Sequence, residues 1–246
     1  MNNKLVEKGT MGSELIVSET EKKEDKKSVD WREFYQNLYS SPYEPFRRSG
    51  YGSELALFLR KLVVKRAKEK FYKAGKMLDI GCGIGNFADY FEEYFGIDII
   101  KSALEELKNK HKKNNVLVSD AENLPFKKES FSFIIAVEVL QHIRNKEKFF
   151  DEIFRVMKPN SHAVLITQNP DSIIWKIRQK RRGKSPLEFA HIHKTIENIK
   201  KRGGIIVSFG GLYTPFDPLL FFFLPNHNKK FMEIFAKAYW VIFKKQ

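Results

Sequence analysis

The segment LDIGCGIG, Leu78 to Gly85, sets an acid, Asp79, ahead of three glycines at alternate positions. Glycine at this density lets a backbone turn sharply and lets a ligand approach amide groups that side chains would otherwise shield. Phosphate is the usual guest of such a loop, yet two phosphate-binding patterns fail here on residue type. A P-loop ends in Lys and then Ser or Thr, whereas Asn86 and Phe87 follow the last glycine. A dinucleotide fingerprint requires its third glycine at the position of Asn86. A carboxylate beside the loop also repels phosphate and attracts cations. The pattern predicts a nucleotide-like ligand that carries positive charge and no phosphate.

Two further acids lie where the same ligand needs them. Asp98 closes the apolar segment YFGID, a position from which a carboxylate accepts both hydroxyls of a ribose. Asp120, the last residue of NVLVSD, stands with Ala121 at the end of the third strand, where it can receive the amino group of an adenine. S-adenosylmethionine satisfies all three, its sulfonium and ammonium suiting Asp79. Any one of these aspartates alone reads as a turn residue or a helix cap. Three of them at successive strand ends read as one crevice.

Such a crevice needs a sheet to carry it, and the hydrophobic pattern supplies one. Strands are predicted at KMLDI, YFGID, NVLVSD, FSFIIAV, HAVLIT, GIIVSF and YWVIF. Helices are predicted over Asn86–Glu93, Ala103–Lys110 and Lys146–Met157, the last with Phe149, Phe150, Ile153, Phe154 and Met157 on one side and stopped by Pro159. Another begins at a Thr195 cap and closes at Gly203 and Gly204, and a short helix precedes the last strand. Upstream, Ser53 is placed to cap a helix with Leu55, Phe58, Leu59, Leu62 and Val63 as its apolar stripe. Strands alternating with amphipathic helices define an α/β, doubly wound, Rossmann-like sheet with helices on both faces. Residues 1–28 form a charged tail expected to lack order, and 29–72 an arm and helix over the cofactor site. Residues 73–246 form the main domain, with substrate-side loops at 175–194 and 210–230.

These motifs together resemble the class I S-adenosylmethionine-dependent methyltransferases. LDIGCGIG is similar to their first motif, GID to their acidic ribose-binding strand end, and SDAENLPF to their adenine-proximal segment. FSFIIAVEVLQHI and VMKPNSHAVLIT are similar to the fourth strand and the turn before the fifth; Phe131-Ser132 and Asn160-Ser161 depart from the family's more usual residues. The resemblance implies a seven-stranded sheet, mostly parallel, with its last strand antiparallel. It implies that Gly81, Cys82 and Gly83 lie near the methionyl part of the cofactor, Asp98 and Ile99 at the ribose, and Asp120 and Ala121 near adenine. By the same resemblance the backbone around Val137 runs along the methionyl chain; from position alone, Arg47, Arg48 or Tyr51 is a candidate to close over its carboxylate.

Transfer of a methyl group from a sulfonium needs alignment and a dry pocket, and a base only where the acceptor holds its proton. Glu138 and His142, just after the fourth strand, are the candidates for that base; a cap and a packed histidine are the equally simple alternatives. His191 and His193 read as loop residues that could face substrate, without further ligands for a metal, and Cys82 reads as a packing residue. A single cysteine excludes an internal disulfide and a thiolate zinc site. No apolar run has the length of a signal peptide or a membrane span, which leads to the expectation of a soluble cytoplasmic protein. A net charge of +14 favours acidic partners. Lys176, Arg178, Lys180, Arg181, Arg182 and Lys184 concentrate that charge next to the apolar segment LYTPFDPLLFFFLPN. A small amphipathic or anionic acceptor fits this pair of features best. An RNA acceptor gripped by the same cations, peripheral contact with a membrane, and a non-catalytic partner subunit are the alternatives.

Overall fold

Seven strands pair in the order β3-β2-β1-β4-β5-β7-β6, a sequence that reverses direction between β1 and β4. The computed structural model describes residues 54–112, 115–182, 188–212, 234 and 236–246. In chain order these are α1 (Glu54–Phe71), β1 (Met77–Ile80), β2 (Tyr94–Asp98), α2 (Lys101–His111), β3 (Val116–Val118), β4 (Phe131–Val137), α3 (Lys146–Val156), β5 (Met157–Gln168), α4 (Ile173–Arg182), α5 (Ile192–Lys201), β6 (Gly204–Leu212) and β7 (Ala238–Lys245). Strands β1 to β5 are mutually parallel, and β7 runs antiparallel to both of its neighbours, β5 and β6. This is the sheet expected from the sequence, including its reversed last strand.

The central strands read as continuous apolar runs because both of their faces are covered. Along β4, Ile134 and Ala136 join the core beneath α3 and α5, where Phe149, Phe150, Ile153, Ile192 and Ile199 pack. Phe133, Ile135 and Val137 face the other way, toward Leu59, Val63, Val64 and Ala67 of α1 and Leu104 and Leu107 of α2. Asn145 caps α3 by accepting the Lys148 amide hydrogen at 3.0 Å, and the predicted stripe of that helix is buried.

Four local expectations differ from the structure. Between Ile80 and Tyr94 the chain forms only a three-residue 3-10 turn, Ala88–Tyr90, in place of the helix expected over Asn86–Glu93. That connection is close to the shortest parallel crossover, about a dozen residues, and the glycine turn consumes its first part. The buried side of α1 is Ala56, Leu59, Arg60, Val63, Val64 and Ala67, so the stripe is rotated and Leu55 and Phe58 are exposed. Pro159 lies within β5, at the register shift between the Phe131 and Phe133 pairings, where a residue without an amide hydrogen is tolerated. Helix α5 begins at Ile192, and Thr195 is buried with its hydroxyl on Tyr239 Oη at 2.8 Å instead of capping. The Ser53 cap, Arg47, Arg48, Tyr51, the N-terminal tail and the Phe-rich segment after Leu212 lie outside the described residues.

Candidate functional site

The glycine loop leaves β1 at its carboxyl end, beside the point where strand order reverses, which is where open α/β sheets take their ligands. Gly81, Gly83 and Gly85 all have positive φ, at 68°, 51° and 79°. The amides of Gly81 and Cys82 both donate to the Ile97 carbonyl, at 2.8 and 2.9 Å, which ties the turn to β2. A β-carbon on Gly81 would lie 2.2 Å from Val139 Cγ2, so glycine is what lets the turn nest against the chain leaving β4. A β-carbon on Gly85 would meet Leu107 of α2 at 2.7 Å.

The three predicted acids occupy three different environments. Asp79 is sealed, 1% exposed, and accepts the Tyr94 hydroxyl at 2.9 Å. Burial pushes its carboxyl up to about 8; the Tyr94 bond opposes that rise and the charge of Asp98 adds to it. Cys82 is buried beside them and its thiol is likewise pushed up by burial, which agrees with a packing role. Asp98 is half-buried at the end of β2. Its Oδ2 accepts the Gly83 amide at 2.8 Å and its Oδ1 the Ile100 amide at 2.9 Å, and burial raises its carboxyl against these bonds. The Asp98 side chain thus locks the glycine turn to β2. Asp120 lies beyond β3, exposed, with Oδ1 on the Glu122 amide at 2.8 Å, next to buried Ala121.

At the end of β4, Val137 is buried and Glu138 turns the chain with a left-handed φ of 60°. Glu138 is not open to solvent. Its Oε1 accepts Arg60 Nη2 at 2.6 Å and Arg60 Nε at 3.1 Å, and the two side chains are 9% and 4% exposed. Gln141 donates to Glu138 Oε2 at 3.0 Å and in turn accepts the Thr167 hydroxyl at 2.7 Å. This network fastens α1 across the carboxyl ends of β4 and β5. Both carboxylate oxygens of Glu138 are thus taken up by side chains of the protein itself. His142 is a weak base here, because burial drives its pKa down to about 4 against the pull of Glu138.

Sequence reasoning missed a second pair at the same end of the sheet. His191 Nδ1 lies 2.8 Å from Asp171 Oδ2, just past the carboxyl end of β5, and the His193 ring stacks on His191 at 5.4 Å. The pair is built on ordered chain: Asn169 binds the Ala236 carbonyl at 2.8 Å and the Asp171 amide at 3.1 Å, and Tyr239 donates to the Ala190 carbonyl at 2.8 Å. A carboxylate that fixes one ring nitrogen leaves the other for a proton. The residues are separated by 20 positions in sequence, and nothing in the local pattern around HIHKT announces the partner. Among the described residues no group of three or more His, Cys, Asp or Glu is assembled to hold a metal. A cavity of about 360 Å³, lined by Lys70, Phe71, Lys73, Ser132, Lys158 and His162 among others, opens at the opposite end of the sheet, away from the glycine loop.

A doubly wound sheet with a glycine turn and acids at its carboxyl edge defines a nucleotide-cofactor enzyme of Rossmann-like build. Residues 78–165 match the family model described as a methyltransferase domain. An uncharacterised protein of Methanocaldococcus jannaschii is 30% identical over 141 residues, 56% of this chain and 68% of its own length. Norajmaline N-methyltransferase of Rauvolfia serpentina is 33% identical over 106 residues, 39% of this chain and 36% of its own. The chain therefore spans about a third of that curated relative and about two thirds of the former. A solved S-adenosylmethionine-dependent methyltransferase of Archaeoglobus fulgidus superposes with a TM-score of 0.63 at 19% identity, covering 83% of this chain and all (100%) of its own. The chain belongs to the class I S-adenosylmethionine-dependent methyltransferases, and S-adenosylmethionine is its cofactor.

Proposed function

We propose that the chain transfers the methyl group of S-adenosylmethionine to a small acceptor of amphipathic or anionic character, and that the acids and glycines at the sheet edge hold the cofactor. The observation that carries this reading is the pairing of Asp98 with the Gly83 amide, which brings the ribose-side acid and the glycine turn together. The donor set suits a cation. Asp79 and Asp98 are both disfavoured as anions by burial, and positive charge brought between them relieves that cost. Gly81, Cys82 and Gly83 present backbone to the methionyl part, with Val137 alongside; Asp98 and Ile99 meet the ribose, and Asp120 and Ala121 the adenine.

The bound cofactor supplies an already activated methyl group, so the protein contributes position and exclusion of water. Glu138 and Arg60 act by fastening α1 over the strand ends instead of moving protons. Where an acceptor keeps its proton at neutral pH, His191, oriented by Asp171, takes it at Nε2. Norajmaline N-methyltransferase is named for a small acceptor, which supports the same class here. The exposed Lys176 and Lys180 favour a second reading, an RNA acceptor held by its backbone.

Incubating the chain with labelled methyl donor and fractionated cell extract tests both. Label in the small-molecule or lipid fraction supports the first reading, and label in RNA supports the second. Calorimetry on Asp98→Ala tests the cofactor site. Loss of the bonds to the ribose and to Gly83 is expected to weaken S-adenosylmethionine binding by at least about tenfold. Unchanged affinity would remove Asp98 from the site.

A further inference from the structure

We infer that α4 is a membrane-docking helix that seats the ligand end of the sheet on an anionic lipid surface. The helix leaves β5 at its carboxyl end through Asn169 to Ser172, the edge that also carries the glycine turn. Ile173 and Ile177 stand four positions apart, on one side of the helix, and are 46% and 54% exposed. Lys176 and Lys180, also one turn apart, are exposed beside them. Between Asp171 and Glu188 the chain carries Lys176, Arg178, Lys180, Arg181, Arg182 and Lys184 and no Asp or Glu at all. Trp175, on another side, packs edge-on against Phe189 at 4.7 Å and ties the helix to the body of the protein.

A solvated helix mixes acids with its bases, and this one does not. Nucleic acid would account for the cations but makes no use of two isoleucines in water. A lipid headgroup layer uses both, since phosphate meets the lysines while the isoleucines enter the boundary with the acyl chains. Because α4 rises from the ligand edge, docking turns the mouth of the crevice toward the bilayer. An amphipathic acceptor would then reach the site without crossing water; that consequence rests on the proposed acceptor class, whereas the docking does not.

Co-sedimentation of the full chain with vesicles tests the inference. Vesicles of phosphatidylcholine alone are compared with vesicles containing about a third phosphatidylserine. Each cation near an anionic surface raises partitioning about fivefold, so Lys176→Glu/Lys180→Glu is expected to lower binding to the anionic vesicles at least about 25-fold. Ile173→Asn/Ile177→Asn, which leaves the charge unaltered, is expected to lower it about tenfold. Both variants change exposed side chains and should retain wild-type S-adenosylmethionine binding by calorimetry, which verifies their fold. Equal binding to both vesicle types, or full binding by the isoleucine variant, would overturn the inference. So would salt-sensitive retention of single-stranded RNA without vesicle pelleting, which assigns the helix to nucleic acid. Failure of wild-type protein to bind S-adenosylmethionine would strike the cofactor reading and leave the vesicle result standing.

Discussion

Asp79 is sealed beneath the glycine turn with its carboxyl raised to about 8, so if it is the counter-charge proposed above, cofactor binding is expected to be coupled to loss of a proton. At pH 7 a group of this pKa is about 0.9 protonated. If the positive groups of S-adenosylmethionine draw it into the carboxylate form, binding at pH 7 releases about 0.9 proton. Affinity should then climb about fifty-fold from pH 6 to pH 8, the ratio of the ionised fractions. Two of the groups around Asp79 do not mask this, and the third is separated by comparison with Asp79→Asn. Tyr94 and Cys82 are both pushed up by burial and stay neutral, and Asp98 titrates as a second acid raised by burial.

The unliganded protein carries a matching signature in its stability. A carboxyl raised on folding binds an extra proton in the native state between its unfolded value, about 4, and about 8. Stability contributed by this group is therefore full at low pH and declines as pH rises through that window. Asp79→Asn should flatten the decline. Calorimetry in buffers of different ionisation enthalpy counts the protons, and urea unfolding across pH reads the stability. The amino group of the cofactor itself titrates at about 7.7–8.0 if it behaves like an ordinary α-amino group, so the decisive quantity is the difference between wild type and Asp79→Asn. The ratio of wild-type to Asp79→Asn affinity should be smallest near pH 6, where ionising Asp79 costs most, and grow toward pH 8. Identical proton release in both, or parallel pH profiles, would refute a counter-charge role for Asp79.

Substitutions at three other places probe the turn, the strand end and the proposed acceptor side. Gly81→Ala meets both a left-handed φ and the Val139 methyl, and should cost about 2–4 kcal/mol in urea unfolding. Adding Val139→Ala should recover the steric part only. Glu138→Gln leaves Arg60 buried beside a neutral partner and should cost about 3–5 kcal/mol; in a double-mutant cycle with Arg60→Met the losses should fall well short of additive. His191→Gln and Asp171→Asn should lower kcat about 10²–10⁴-fold for an acceptor that must lose a proton, with cofactor affinity unchanged in calorimetry.

The parts of this molecule legible in its sequence are those whose cause is local. The strands announce themselves as apolar runs because the sheet is covered on both faces, and β4 shows it best, with Phe133, Ile135 and Val137 facing one layer and Ile134 and Ala136 the other. The turn was legible because Gly81, Gly83 and Gly85 each adopt a φ that other residues avoid. Less legible was the stretch Asn86–Glu93, whose apolar residues Phe87, Ala88 and Phe91 are buried as a helix would bury them. Burial pattern did not reveal that the span back to Tyr94 is too short to hold a helix.

What the sequence concealed is how each charge would be used, because that depends on partners far along the chain. Glu138 sits at a strand end exactly as a general base would, by position alone indistinguishable from one. The guanidinium that neutralises it comes from a helix 78 residues earlier, and only the fold brings the two within 2.6 Å. Asp79 reads as a charge at the lip of the loop, yet the alternation of β1 turns it inward toward Tyr94, whose hydroxyl becomes its partner. The same logic works in reverse for His191, whose partner Asp171 is set against it only by the fold. Strand ends collect polar residues for several reasons at once: to close turns, to dock covering helices and to meet ligands. Residue type and spacing identify the edge of the sheet where chemistry belongs, and only the pairing of side chains across that edge separates the groups that fasten the site from those free to act in it.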